Sequence, residues 1–194
     1  MRHAIIALGS NLGDRAELLR AALGDLRAAE GVEVLDASPV VVTRPVGGPE
    51  GQPDFLNAVV KIRTTLGPFE MLQLCQAIED AHDRTHDIEW GPRTVDLDII
   101  DFGGLSMDEP TLTLPHPRAA GRAFVLVPWA MMDPEARLGG RRVRELAQEA
   151  DDLPGISPRT HPPLIDPSEL PHHDGGGRVP EGLRPWLQPP AERP

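Results

Sequence analysis

An α+β fold, an antiparallel sheet with helices packed on it, is what this 194-residue chain predicts. The chain alternates short β-branched apolar runs with two longer segments whose apolar residues recur at helical spacing, and Gly- and Pro-rich joints separate them. His3 to Leu8 reads as a buried strand. The turn Gly9-Ser10-Asn11-Leu12-Gly13 leads to Asp14, suited to cap a helix that carries Leu18, Leu19, Ala22, Leu23 and Leu26 on one side. Val32 to Thr43 is rich in β-branched residues and runs into the loop Pro45 to Pro49, and Phe55 to Thr65 supplies a partner strand. Pro68 opens a second amphipathic helix through Met71, Leu72, Leu74, Cys75, Ile78 and Ala81. The strand around Asp96 follows, then a short strand at Leu112 to Leu114, a helix over Ala119 to Met132 and a last short helix over Val143 to Ala150. The order β-α-β-β-α-β matches a ferredoxin-like split βαβ sandwich, with helices expected on one face of the sheet.

Residues 1–150 are enough for one substantial core. From 151 to 194 the character changes: half of the 22 prolines fall there, Gly175 to Gly177 stand in a row, and large apolar residues are few. A largely irregular tail is expected, with Leu164, Ile165, Leu183, Trp186 and Leu187 as docking points. A net charge of -11 disfavours a grip on a phosphate backbone, so no nucleic-acid partner is expected. Cys75 is the single cysteine, which rules out an internal disulfide and suits a reducing cytoplasm. The apolar run ending at Leu8 is too short for a signal peptide, and no stretch reaches the roughly 18 apolar residues of a membrane span. A cytoplasmic monomer acting on small molecules is the expectation.

The most informative stretch is Trp90-Gly91-Pro92-Arg93-Thr94-Val95-Asp96-Leu97-Asp98-Ile99-Ile100. In a strand, Thr94, Asp96, Asp98 and Ile100 share one face while Val95, Leu97 and Ile99 share the other. The apolar face accounts for the strand but not for the aspartates. Two strand steps separate them by roughly 6.6 Å, so both carboxylates can reach a pair of metal ions roughly 3.5 to 4 Å apart. An isolated pair of this kind is more often a solvated strand face. Here the Gly-Pro-Arg turn and Trp90 just upstream favour a site.

Four blocks, in order, resemble the 6-hydroxymethyl-7,8-dihydropterin pyrophosphokinase family of the folate pathway. They are Ala7-Leu8-Gly9-Ser10-Asn11-Leu12-Gly13-Asp14-Arg15, Phe55-Leu56-Asn57-Ala58, Gly91 to Ile99, and Leu114-Pro115-His116-Pro117-Arg118 followed by Arg122-Ala123-Phe124. The resemblance covers roughly residues 4 to 134. It implies the same ferredoxin-like fold, and attack of a pterin hydroxymethyl oxygen on the β-phosphorus of ATP with release of AMP. It implies two magnesium ions on Asp96 and Asp98, with Arg84 and Arg93 engaging the phosphates beside them as catalytic groups. For the nucleotide it implies Gln76, Glu79, Ile99, His116 and Pro117. For the pterin it implies Phe55 and Phe124 as stacking faces, Asn57 presenting its amide to the ring edge, and Pro45 and Gly47 bringing backbone to that edge. Trp90 would cover the ring and Arg122 line the rim. A flat polar heterocycle calls for aromatic faces with amide groups around them. Phe55, taken alone, reads as core, and His116 reads equally as a helix-start histidine.

The segment Arg84-Thr85-His86-Asp87-Ile88-Glu89-Trp90 departs from the family pattern. Members commonly carry an arginine pair and a further basic residue there, so this loop offers less positive charge to ATP. Two other readings stand beside the enzyme. A ferredoxin-like binding module for RNA or protein would carry a basic surface and exposed aromatics, signals this chain lacks. A protein that kept the pterin pocket and lost turnover would look the same in sequence.

Overall fold

A computed structural model describes residues 1–45, 51–82 and 95–171. Among them a six-stranded antiparallel sheet runs in the order β10-β3-β4-β1-β5, with β2 also paired to β4. These strands are β1 (Arg2–Ser10), β2 (Val32–Ala37), β3 (Val40–Thr43), β4 (Phe55–Thr64), β5 (Asp96–Phe102) and β10 (Ile156–His161). Two small hairpins, β6 (Met107–Glu109) with β7 (Leu112–Leu114) and β8 (Arg137–Leu138) with β9 (Arg141–Arg142), lie off the sheet. The second turns on Gly139 and Gly140, both at positive φ, as a tight hairpin requires. The helices are α1 (Arg15–Ala28), α2 (Pro68–Ala81), α3 (Ala123–Met132) and α4 (Val143–Glu149).

Local chemistry sets the ends of the first two helices. Asp14 accepts from the Glu17 N–H at 3.2 Å and starts α1. At α2, Pro68 takes the first position while Glu70 accepts from the Gly67 N–H at 2.6 Å. The apolar run Val32 to Thr43 is two strands rather than one, because Pro39 has no N–H for the ladder. Ser38 covers the break: its hydroxyl accepts from the Val59 N–H at 2.8 Å.

Helices cover both faces of the sheet, where the sequence predicts one. Ala4, Ile6 and Leu8 of β1 and Leu97 and Ile99 of β5 pack with Leu19, Leu23 and Leu26 of α1 and Met71, Cys75 and Ile78 of α2. On the other face Ile5, Val59 and Ile100 meet Val125, Leu126 and Trp129 of α3 and Leu146 of α4. The unbroken apolar runs in β1 and β4 reflect burial on both sides. A bulge in β5 serves this arrangement. Ile5 pairs with Asp101 and Ile6 with Ile99, so Ile100 is the extra residue. Ile99 and Phe102 thereby face α1 and α2 together although they are three positions apart.

The predicted helix from Ala119 to Met132 is also divided. A 3-10 turn at Ala119–Gly121 is followed by Arg122 in extended conformation (φ -112, ψ 101), and α3 begins at Ala123.

Beyond residue 150, where the sequence predicts a largely irregular tail, Ile156–His161 pairs antiparallel with β3, while Leu164 and Ile165, two of the expected docking points, are buried in the core cluster that includes α1 and α2. Gly47, Arg84, Trp90 and Arg93 lie outside the described residues, as do Leu183, Trp186 and Leu187.

Candidate active site

The register of three strands builds a concave floor on the α3 face. Gly9 of β1 pairs with Asn57 of β4 on one side and Asp96 of β5 on the other, and Ala7 pairs with Val59 and Asp98. The two aspartates therefore pair with Gly9 and Ala7, two of the smallest residues of β1. A Cβ placed on Gly9 would come within 2.9 Å of Asn57 Oδ1, so only glycine leaves this floor intact. Asn57 is buried and donates from Nδ2 to Thr43 Oγ1 at 2.7 Å, which fixes the amide plane. Phe55, two residues along β4, lies on the same face.

Above this floor lies a cavity of about 350 Å³, whose far wall is Gly121, Arg122 and Phe124 with Asp151 and Asp152. The break at Arg122 matters here. Its extended backbone turns the guanidinium over the Phe124 ring, 5.4 Å from the centroid, and brings Nη1 to 3.8 Å from Asp98 Oδ2. From the other side His116 Nε2 stands 4.0 Å from Asp98 Oδ1, while its Nδ1 accepts the Arg118 N–H at 3.1 Å. Burial lowers the His116 pKa; Asp98 opposes this, and Arg122 and Arg118 add to it. A neutral ring that accepts at Nδ1 carries its proton on Nε2, facing Asp98.

On the opposite face of β5, Glu79 of α2 is buried and accepts the Leu97 N–H at 2.7 Å. This bond anchors the strand between its two aspartates. Beside it Cys75 is held as a thiol, its pKa raised from 9.0 to about 12 by burial first, then by Glu79 and Asp98. At pH 8 the thiolate is then about one part in 10⁴. Iodoacetamide at pH 8 is expected to leave folded Cys75 unmodified and to label it fully in denaturant; comparable labelling rates in both states would contradict this burial. The linkage has a sign as well. An unfolded thiol ionises near 9.0 and the folded one near 12, so the stability that Cys75 contributes is complete below pH 9 and lost as pH rises toward 12.

Of the site residues read from the sequence, Pro45, Phe55, Asn57, Asp96, Asp98, Arg122 and Phe124 line this one cavity. Glu79, Ile99 and His116 do not line it, nor do Gln76 and Pro117. Gln76 is exposed on α2, Ile99 is buried on the α1–α2 side, and Pro117 is exposed beside His116. Sequence reasoning missed Ala7, Gly9, Thr43, Arg118, Asp151 and Asp152. A glycine and an alanine inside an apolar strand were a readable sign of close approach; two aspartates after a short helix were not. Among the described residues no group of three or more His, Cys, Asp or Glu side chains is gathered as a metal cluster.

The chain matches the model of the 7,8-dihydro-6-hydroxymethylpterin-pyrophosphokinase (HPPK) family over residues 5–134. It is 48% identical over 127 residues to the 2-amino-4-hydroxy-6-hydroxymethyldihydropteridine pyrophosphokinase of Bacillus subtilis (strain 168), covering 66% of this chain and 75% of the relative. The enzyme of that name from Mycobacterium bovis is 38% identical over 180 residues, covering 86% and 93%. The fold is similar to that of Plasmodium falciparum HPPK-DHPS solved with pteroate, at a TM-score of 0.61 and 14% identity over 76% of this chain. This chain spans 44% of the length of that solved one, and the likeness speaks for the fold.

Proposed function

We propose, from the premise that this chain belongs to the 7,8-dihydro-6-hydroxymethylpterin-pyrophosphokinase family, that the cavity over β1, β4 and β5 is where its reaction takes place. The protein transfers a pyrophosphoryl group from ATP to the hydroxymethyl group of 6-hydroxymethyl-7,8-dihydropterin in folate biosynthesis. The observation that supports the location is the meeting of two aspartates and two phenylalanines over one floor of small residues. In this reading the pterin lies between Phe55 and Phe124, its edge against the Asn57 amide and the backbone at Pro45 and Gly47, under Trp90.

Asp96 and Asp98 fit magnesium by their chemistry: two half-buried carboxylates on one strand face at the wall of a cavity are the sparse oxygen donor set this ion takes, with waters and substrate phosphates completing its shell. Two such ions would neutralise phosphate charge and align the phosphates for in-line transfer. The chain's own groups do the rest. Arg122, at the pterin rim, and His116 flank Asp98, and Arg84 and Arg93 would supply guanidinium groups to the phosphates. Gln76, Glu79, Ile99, His116 and Pro117 are assigned to the nucleotide, Glu79 acting through the β5 backbone that it holds. The setting is a cytoplasmic monomer with no nucleic-acid or membrane partner; no helix among the described residues is long and apolar enough to cross a membrane.

Incubation with 6-hydroxymethyl-7,8-dihydropterin, ATP and magnesium should release AMP in step with pterin consumption. ADP as the product, or no product, would overturn the reading. Phe124→Ala is expected to weaken pterin binding by about tenfold and leave ATP binding unchanged, since stacking adds about 0.5–1.5 kcal/mol to the lost area burial. Titration calorimetry with each ligand decides, and equal weakening of both would make Phe124 a core residue.

A further inference from the structure

Phe124 and Arg122 owe their positions to the first turn of α3, and that turn is not capped from within. Val125 and Leu126 N–H both bond to the Arg122 carbonyl, at 3.1 and 3.0 Å, while the Arg122 side chain does not cap the turn. The N–H groups of Ala123 and Phe124 therefore need a partner from elsewhere. It comes from 29 residues downstream. Asp152, in the turn after α4, accepts the Ala123 N–H through Oδ1 at 2.7 Å, and the nearby Phe124 N–H favours its charged form. The same aspartate lines the cavity beside Phe124.

We infer that Asp152 is a positioning residue for the pterin: by capping α3 in trans it sets the Phe124 ring, and with it the overlying Arg122, against the cavity. This rests on the reading that the cavity holds the pterin. The carboxylate is half-buried, and burial raises its pKa against the pull of the Ala123 and Phe124 N–H groups and of Arg122. A group placed there at that desolvation cost is bound to the helix end rather than exposed to solvent.

The test separates positioning from plain stability. Binding of 6-hydroxymethylpterin and of α,β-methylene-ATP with magnesium is measured by calorimetry on the full chain, for wild type, Asp152→Ala, Asp152→Asn, Phe124→Ala and the Phe124→Ala/Asp152→Ala double variant. Leu146→Ala serves as a control, since it loosens the same core through α4 without touching the cap. Loss of a cap predicts a pterin dissociation constant raised about tenfold in Asp152→Ala, with the nucleotide analogue within twofold. Asparagine keeps an acceptor and should restore most of the affinity. In the Phe124→Ala background, loss of Asp152 should add less than twofold, because it acts through that ring. Should Asp152→Ala fail to fold, Asp152→Gln moves the acceptor by one methylene and is expected to weaken pterin about threefold. An unchanged pterin affinity in the Ala or Gln variant overturns the inference, as does Leu146→Ala weakening pterin equally. If Phe124→Ala itself binds pterin normally, the cavity reading fails and this inference goes with it.

Discussion

Asp96→Asn and Asp98→Asn are each expected to lower kcat about 100-fold or more, with far-UV circular dichroism and the melting temperature close to wild type. Losing one electrostatic stabiliser aimed at developing charge typically costs about 10² to 10³ in rate. The Asp98 ion pairs to described residues are long and half-exposed. Asp98 is 35% exposed, and Arg122 and His116 stand 3.8 and 4.0 Å from it, pairs each worth at most about 1 kcal/mol in stability. Each substitution preserves shape while removing the charge, so AMP formation at saturating ATP and pterin isolates the electrostatic part. Near-normal turnover in either variant would refute the assignment of that carboxylate.

A chain ending at Gly155 is expected to lose about 5 kcal/mol or more of stability. It lacks β10, which pairs Ile156 with Thr43, Thr160 with Val41 and His161 with Val40, and it lacks the buried Ile156, Leu164 and Ile165. Full burial of one such side chain is worth about 1.5–3 kcal/mol, against a total of about 5–15 kcal/mol for a domain. Urea or thermal denaturation measures the difference, and a shift of under about 5 °C would mean that the segment contributes little packing. A chain ending at Pro171 keeps all of these contacts and is the matched control.

Much of this architecture was legible because its signals are local. Leu19, Leu23 and Leu26 mark α1 by spacing, Pro68 marks the start of α2, and the alternation of Asp96 and Asp98 with Leu97 and Ile99 gives both faces of β5. What escaped depends on distant partners. β10 contains Pro158, which argues against a strand, yet the pairing is irregular between Ile156 and Thr160 and so accommodates it. Helix α3 is buried from Ala123 almost throughout, so it lacks the polar stripe that shows which side a helix turns to the sheet. The bulge at Ile100 leaves no mark in the residue types around it. Of the residues that line the cavity, Phe55, Asn57 and the aspartates stand in their motif blocks, whereas Asp152 meets Ala123 only through the folded chain.

The bond from Leu97 N–H to Glu79 has a consequence for the molecule among its neighbours in solution. β5 ends the sheet path, and an exposed strand edge is a template onto which another chain can add by backbone pairing. The outward N–H at the middle of the Asp96-Leu97-Asp98 segment is already taken by a buried carboxylate, with charged side chains on either side of it. An incoming strand would have to displace Glu79 and leave its carboxylate buried without that donor, at a cost of about 1–3 kcal/mol or more. Among the described residues, backbone addition of another strand at the Asp96-Leu97-Asp98 segment is therefore disfavoured, while the strand that carries the two aspartates stays at the rim of the sheet.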